Sequence, residues 1–403
     1  MKELIIVGGG FAGLKAALTA AFENKENDGN INITLVSQND FLVMRPRLYE
    51  SNPEKMRVPF RPMLDTLGIN FVEGLVSKIV PTEHTISIKM TRALEMEISY
   101  DQLILAAGSV SKSLPIPGLK EHSWNINSYQ AAIALDGHLL KVARLKNIGG
   151  QNRFVILGAG ITGIEMAMEL RSRIHVHSDD ATAAAIEILL IDQADHIGPA
   201  PSETTAEVFE QAFKEANILV KLGQTITNIT LNSILLADGE EIETATVIVT
   251  TGLQANPLAD LLDVERDASG RLTVDGSLRV NGVKNIFAAG DIAAAKADDA
   301  HMALMSCQHA MPMGAHAGYN AVHSLLGLPH QKYAQPDYST CVDLGEIGTL
   351  LTKGWDRQIV MTGPEAKALK QKINGSYIYP PDGNAADILA HSHIDAHWAD
   401  SNQ

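Results

Sequence analysis

A strand, a glycine-rich turn and a helix occur twice in this chain, 150 residues apart. The first copy reads "LIIVGGGFAGLKAALTAAF" from Leu4, the second "FVILGAGITGIEMAMEL" from Phe154. The apolar runs before each turn are the signature of strands buried on both faces of a parallel sheet. Both turns carry G-x-G-x-x-G, as Gly8, Gly10 and Gly13 and again as Gly158, Gly160 and Gly163. The first glycine makes the tight turn, the second lets backbone approach a pyrophosphate, and the third lets helix and strand pack closely. The phosphates then rest on the free N–H groups at the positive end of the helix. One such match is weak, because glycines occur in any tight turn. Two, each between a strand and a helix, imply two dinucleotides.

Each copy continues into a second strand, Ile31 to Val36 in the first and "AIEILLIDQ" in the second. The expected fold is α/β, with two Rossmann-like dinucleotide-binding domains and a small C-terminal α+β domain. Two strand-and-turn pieces also repeat each other: "LILAAGS", with Ala107 and Gly108, and "TVIVTTGLQANP", with Gly252. A further apolar strand, "NIFAAGDIAAA", ends in Gly290 and Asp291, and "LPIPGL" is a proline-glycine connector. The expected division is 1–118 with 275–328 for the first domain, 119–274 for the second, and 329–403 for a C-terminal interface domain with a polar tail.

The strand ends separate the two units. Asp192 closes "EILLID", where a carboxylate accepts from both ribose hydroxyls and repels a 2′-phosphate, favouring NADH over NADPH. The first unit has Ser37 and Gln38 there, with Asp40 close behind. It keeps the phosphate signal and loses the ribose charge. The formal net charge of −15 disfavours nucleic acid and anionic membrane surfaces as partners. The two cysteines, Cys307 and Cys341, form no disulfide framework and no cysteine-based zinc site. They suit a reducing compartment, hence the cytoplasm. The apolar start carries an A-x-A-like piece, as a secretory signal would, but three consecutive glycines break an apolar helix. No later run reaches about 18 apolar residues. The tail holds His391, His393 and His397 among acids, and reads as a solvated, poorly ordered end rather than a metal site.

The ordered set "IIVGGGFAGL", "LILAAGS", "VILGAGITGIEMAMEL", "VTTGLQANPL", "NIFAAGDIA" and "SCQHAMPMGAHAGYNA" resembles the two-dinucleotide-binding-domain flavoproteins. Within that superfamily it looks like the type II NADH dehydrogenase and apoptosis-inducing-factor-like branch. The resemblance covers residues 1 to about 325. It implies FAD on the first loop, held by Gly8, Gly10, Phe11, Ala12 and Gly13, with Ser37, Gln38, Arg45, Ala107, Gly108, Gly290, Asp291 and Gln308 around it. It implies NAD(H) on Gly158, Gly160, Gly163, Asp192 and Gly252. Glu165 is expected on the first turn of its helix near the nicotinamide, and Glu165 and Gln308 are the expected catalytic residues. An acid there is also favourable at a helix N-terminus without any ligand. The segment "SCQHAMPMG" is similar to the helix start that faces the flavin's pyrimidine edge in the family. Pro312 then marks a start near Met311, or a kink in a helix that began earlier.

The implied reaction is hydride transfer from NADH to flavin N5, then electron transfer to a quinone or other small acceptor. No cysteine precedes Cys307, so the dithiol relay of disulfide reductases is excluded. The tail has no long apolar face with a basic rim, so membrane contact is at most peripheral, at the inner membrane; a homodimer is left open. Two other readings stand beside this one. A sulfide:quinone reductase-like enzyme needs two cysteines near the flavin, and Cys341 resembles the second of them. An NADH-responsive redox-sensing interaction protein would bind without fast turnover.

Overall fold

The computed structural model describes residues 1–90, 94–142, 152–177, 185–198, 203–244, 246–396 and 398. Two five-stranded parallel sheets carry the glycine loops. The first has the order 286–288, 102–105, 2–7, 31–37, 70–73. The second has the order 124–125, 246–249, 153–157, 187–191, 218–221. In both, the strand that feeds the glycine loop lies inside the sheet, with the chain leaving to opposite sides of it. That is the crevice where open α/β sheets bind ligands.

The duplication extends further than the loops. Each sheet has a three-stranded antiparallel meander beside it in sequence, at 75–99 and at 226–243. After strands 102–105 and 246–249 a short extended piece follows, and the two pieces pair with each other, Ser109 opposite Ala255 and Ser111 opposite Leu253. The repeated "AAGS" and "TTGLQA" segments are therefore the strap between the two sheets.

Helix α1, Phe11–Glu26, follows the first loop, and α2, Ile161–His177, follows the second. The long helix α3, Cys307–Leu326, lies across α1. The approach is close because Gly314 and Gly318 face backbone: a Cβ on Gly314 would lie 2.2 Å from Ala12 O, and one on Gly318 2.3 Å from Ala16 O. Sheet, α3 and tail together leave α1 buried nearly all round, which explains its weak amphipathicity. Its two buried charges are both satisfied. Lys15 donates to the carbonyls of His391 (3.0 Å) and Ala396 (2.8 Å), and Glu23 meets His323 Nε2 at 3.1 Å.

Helix α3 starts at Cys307 with Ser306 as its N-cap, so Pro312 sits inside it, and of the two expected alternatives the earlier start holds rather than the one near Met311. Proline lacks the N–H that would bond to the carbonyl four residues earlier. That carbonyl, Gln308 O, instead accepts from Gln335 Nε2 at 3.0 Å. The C-terminal part is a three-stranded antiparallel sheet, 339–343, 349–353 and 358–362, followed by α4, Gly363–Lys372. The tail is also corrected. It forms a short helix α5, Ala385–Ala390, closed by a capping box at Asn384, and Ile388, Leu389, Ala396 and Trp398 are buried. His397 lies outside the described residues.

Candidate active site

The two glycine loops are built alike. Gly8 and Gly158 both adopt φ +116°, outside the range of ordinary L-residues. Their N–H groups bond to carbonyls at the end of the neighbouring strand, Val36 O and Ile191 O, each at 2.8 Å. A Cβ on Gly13 would lie 1.8 Å from Gly8 O, and one on Gly163 1.8 Å from Gly158 O. The third glycine is thus required by packing in both copies. The middle glycines behave oppositely: nothing lies within 4 Å of where a Cβ on Gly10 or Gly160 would point. These are open cradles that a side chain would fill. No side chain caps the N-terminus of α1, and its first turn carries no acid. The donors of Phe11, Ala12 and Gly13 therefore face the space that Gly10 leaves open. The residues present fit a dinucleotide at both loops.

Around the first cradle, the structure gathers most of the residues singled out from sequence. Asp291 lies in a single helical turn at the end of strand 286–288. Ser109 Oγ donates to Asp291 Oδ2 at 2.6 Å, and Arg45 Nη1 donates to Ser109 Oγ at 3.0 Å, 3.7 Å from the same carboxylate. Burial raises the Asp291 carboxyl above its usual value, while Ser109 and Arg45 pull it back down. Gly290 fits where α1 and α3 meet, since a Cβ there would lie 2.8 Å from that of Ala12. Ala107 and Gly108 form the turn leading to Ser109, and Gly108 O accepts from Asn256 N at 3.0 Å. Ser37 ends its strand beside the loop: a Cβ on Gly9 would lie 2.7 Å from Ser37 Oγ. Gln38 and Asp40 are exposed at the following bend.

Sequence reasoning missed Ser109, which joins Arg45 to Asp291. Its signal was the serine closing "LILAAGS". Arg47 parts from Arg45. It pairs with Glu50 through two nitrogens, Nε at 3.0 Å and Nη2 at 2.7 Å, and donates to Tyr379 Oη at 2.9 Å.

At the second cradle, Asp192 does more than end a strand. Its Oδ2 accepts from Ala159 N (2.6 Å), inside the glycine loop, and its Oδ1 from Ala194 N (2.8 Å). A carboxylate offers about four lone-pair positions, so two bonds leave room for ribose hydroxyls. Gly252, at φ +36°, lies under Lys112, whose N–H donates to Gly252 O at 3.0 Å.

The two residues expected to be catalytic sit where the nucleotide sheets meet the C-terminal sheet. Glu165 is the fifth residue of α2, past the first turn where it was expected. It is 7% exposed, accepts from Asp343 N at 3.0 Å, and pairs with Lys370 Nζ from α4. Burial raises its carboxyl above the usual range, against the opposing pull of Lys370. Lys370, 7% exposed, also donates to Cys341 O at 2.6 Å and lies over the Tyr49 ring. Lys370 and Tyr49 carried no sequence signal, because nothing local marks a lysine that is destined for burial. Gln308 meets the same sheet from α3. Its amide, oriented by its partners, donates to Ser339 O (3.0 Å) and accepts from Ser339 N (3.3 Å). Burial pushes the Cys307 thiol up to about 11 and raises that of Cys341 too, so neither is poised as a thiolate. Among the described residues, no group of three or more His, Cys, Asp or Glu is placed to hold a metal ion.

Comparison with known proteins agrees with this geometry. An NADH dehydrogenase-like protein of Mycobacterium tuberculosis is 36% identical over 394 residues, covering 97% of this chain and 98% of that one. Demethylphylloquinone reductase NdbB of Synechocystis sp. is 26% identical over 387 residues, covering 94% and 91%. The fold is that of NDH2 from Plasmodium falciparum, solved in complex with NADH, with a TM-score of 0.78 at 14% identity over 92% of this chain and 93% of that one. The family model for pyridine nucleotide-disulphide oxidoreductases matches residues 2–314, and the chain belongs to that family.

Proposed function

We propose that this chain is an FAD-dependent NADH:quinone-type oxidoreductase. The observation that carries the reading is the pair of open glycine cradles, alike in backbone and different at the strand end. The first, with Asp291, Ser109 and Arg45 around it, takes FAD. The second, with Asp192, takes NADH. Bound there, FAD supplies the redox chemistry, accepting a hydride from NADH and passing electrons to the acceptor.

The chain's own residues bind and orient. The N–H groups of Phe11, Ala12 and Gly13 hold one pyrophosphate and those of Ile161, Thr162 and Gly163 the other. The first turn of α3 packs against the turn that carries Asp291, where a Cβ on Gly290 would lie 3.6 Å from that of Ala310, so the positive end of α3 lies beside the same site. Glu165, a buried carboxylate paired with Lys370 Nζ at the seam with the C-terminal sheet, is a group able to exchange a proton there, which suits an acceptor that gains protons with its electrons. The named Synechocystis relative supports a quinone as that acceptor. Membrane contact is peripheral in this reading: no helix among the described residues is long and apolar enough to cross a bilayer. Ile359 and Val360, exposed on the last strand, offer apolar surface. The domain limits proposed are 118, 274 and 328. Sulfur relay is disfavoured, because both thiols are held protonated and residues 120–250 contain no cysteine.

Stopped-flow mixing with NADH, then a panel of acceptors, tests the reading. The purified protein is expected to carry a flavin spectrum that NADH bleaches without oxygen and a quinone restores. A protein that neither contains nor takes up FAD refutes it. A long-lived reduced complex that no acceptor reoxidises assigns the chain to redox sensing instead.

A further inference from the structure

We propose that the C-terminal tail is a strap that retains FAD on the first glycine loop, with Lys15, Phe11 and Trp398 as positioning residues. The proposal rests on the assignment of FAD to that loop. Phe11 is the first residue of α1, so its N–H is one of the cradle donors. Trp398, 2% exposed, packs against it with ring centroids 6.2 Å apart. One turn further along the same face, Lys15 donates to His391 O, the cap of α5, and to Ala396 O. An ammonium is favoured at the negative end of a helix. Phe22 continues the face and meets His393, centroids 6.0 Å apart. Phe11, Lys15 and Phe22 at i, i+4 and i+11 form one stripe, and the tail lies along it.

Consequently α1 is held on three sides. The sheet and α3 hold two, through contacts far into the core. The tail holds the third, beside the loop itself. Release of a bound dinucleotide requires the loop and the first turn of α1 to open, and Trp398 covers that turn from outside. At the second loop the equivalent α2 position is Glu165, held by Asp343 N and Lys370 of the C-terminal sheet and α4, so among the described residues the tail's grip is particular to the first loop.

Two variants of the full-length holoprotein test this, Trp398→Ala and Lys15→Met. The readout is the rate of FAD release after dilution, followed by flavin fluorescence. Each is expected to speed release about tenfold, the effect of losing one or two buried contacts, with NADH affinity unchanged. Trp398→Phe should restore slow release. Should Trp398→Ala fail to fold, Lys15→Met carries the test, since its stem still packs while its two hydrogen bonds are gone. Release within twofold of wild type in Lys15→Met, or an equal weakening of NADH binding, overturns the strap. A wild-type protein without flavin refutes the FAD assignment instead, so the two failures are distinct.

Discussion

Lys370→Met isolates the buried pair that joins α2 to the C-terminal sheet. Methionine keeps the volume and removes the ammonium, leaving the Glu165 carboxyl at 7% exposure with the Asp343 N–H bonded to it. Breaking a buried pair from one side typically destabilises by roughly 3–5 kcal/mol. A second route bounds the figure. The orphaned carboxyl escapes its charge by taking a proton, which at pH 7 costs about 3.7 kcal/mol for a group whose unfolded pKa is about 4.3. The loss of the bond to Cys341 O adds about 1 kcal/mol. The sign with pH follows from the same step. Glu165 is already raised by burial, and without Lys370 it rises further, so the folded variant binds a proton that the unfolded chain does not. Its stability relative to wild type then recovers as pH falls from 7 towards 5, by up to about 1.4 kcal/mol per unit. Urea unfolding of the holoprotein at pH 7 and 5.5 reads both quantities. Glu165→Gln added to Lys370→Met should recover most of the loss, since no buried charge remains. A penalty that is independent of pH and unrelieved in the double variant would refute the argument, and the lysine would then be acting by packing alone.

Three further outcomes are expected. Asp192→Asn keeps an acceptor for Ala159 N but drops the charge, so KM for NADH should rise about tenfold, as for a lost charge-assisted bond, while that for NADPH rises less; equal changes in steady-state assays remove Asp192 from cofactor choice. Gly314→Ala puts a Cβ 2.2 Å from Ala12 O, so α3 must shift from α1, at roughly 1–3 kcal/mol in urea unfolding and with weaker FAD binding in titration. His309 is fully buried and its pKa is lowered to about 4 by burial, so the neutral ring's stability is present above about 6.5 and is lost as pH falls towards 4. His309→Phe should therefore lose less stability between pH 7.5 and 4.5, by up to about 3 kcal/mol; parallel acid curves for variant and wild type would contradict this.

What was legible in the sequence is what local geometry demands. Gly8 and Gly158 need a backbone that other residues avoid, so the loops stand out in any chain order. The strands that feed them are short apolar runs, and Asp192 follows from its place after one. Arg45 and Asp291 were found separately, but the Ser109 that joins them bonds to Asp291 across 182 positions and leaves no local trace. The tail was misread for the same reason. Its histidines and acids look solvated, yet Lys15 and Ala396, 381 positions apart, are bonded. Glu165 looked like a helix-terminus charge because its partner, Lys370, sits in a helix whose face gives no sign of burial. Pro312 left a helix start and an interior position both open, since nothing in the sequence announces that Gln335 will take the carbonyl it frees.

The strand order of the first sheet sets a timetable for synthesis. Ile286–Ala288 belongs beside a strand that ends at Leu105, and Trp398 belongs on Phe11. At roughly 5–20 residues per second, a ribosome delivers Trp398 on the order of 20–80 s after Gly8. The second sheet draws only on residues 124–249, all made before Ile286. The nucleotide sites therefore mature in the reverse of the order in which their loops leave the ribosome. A flavin that arrives early meets a loop with neither floor nor cover.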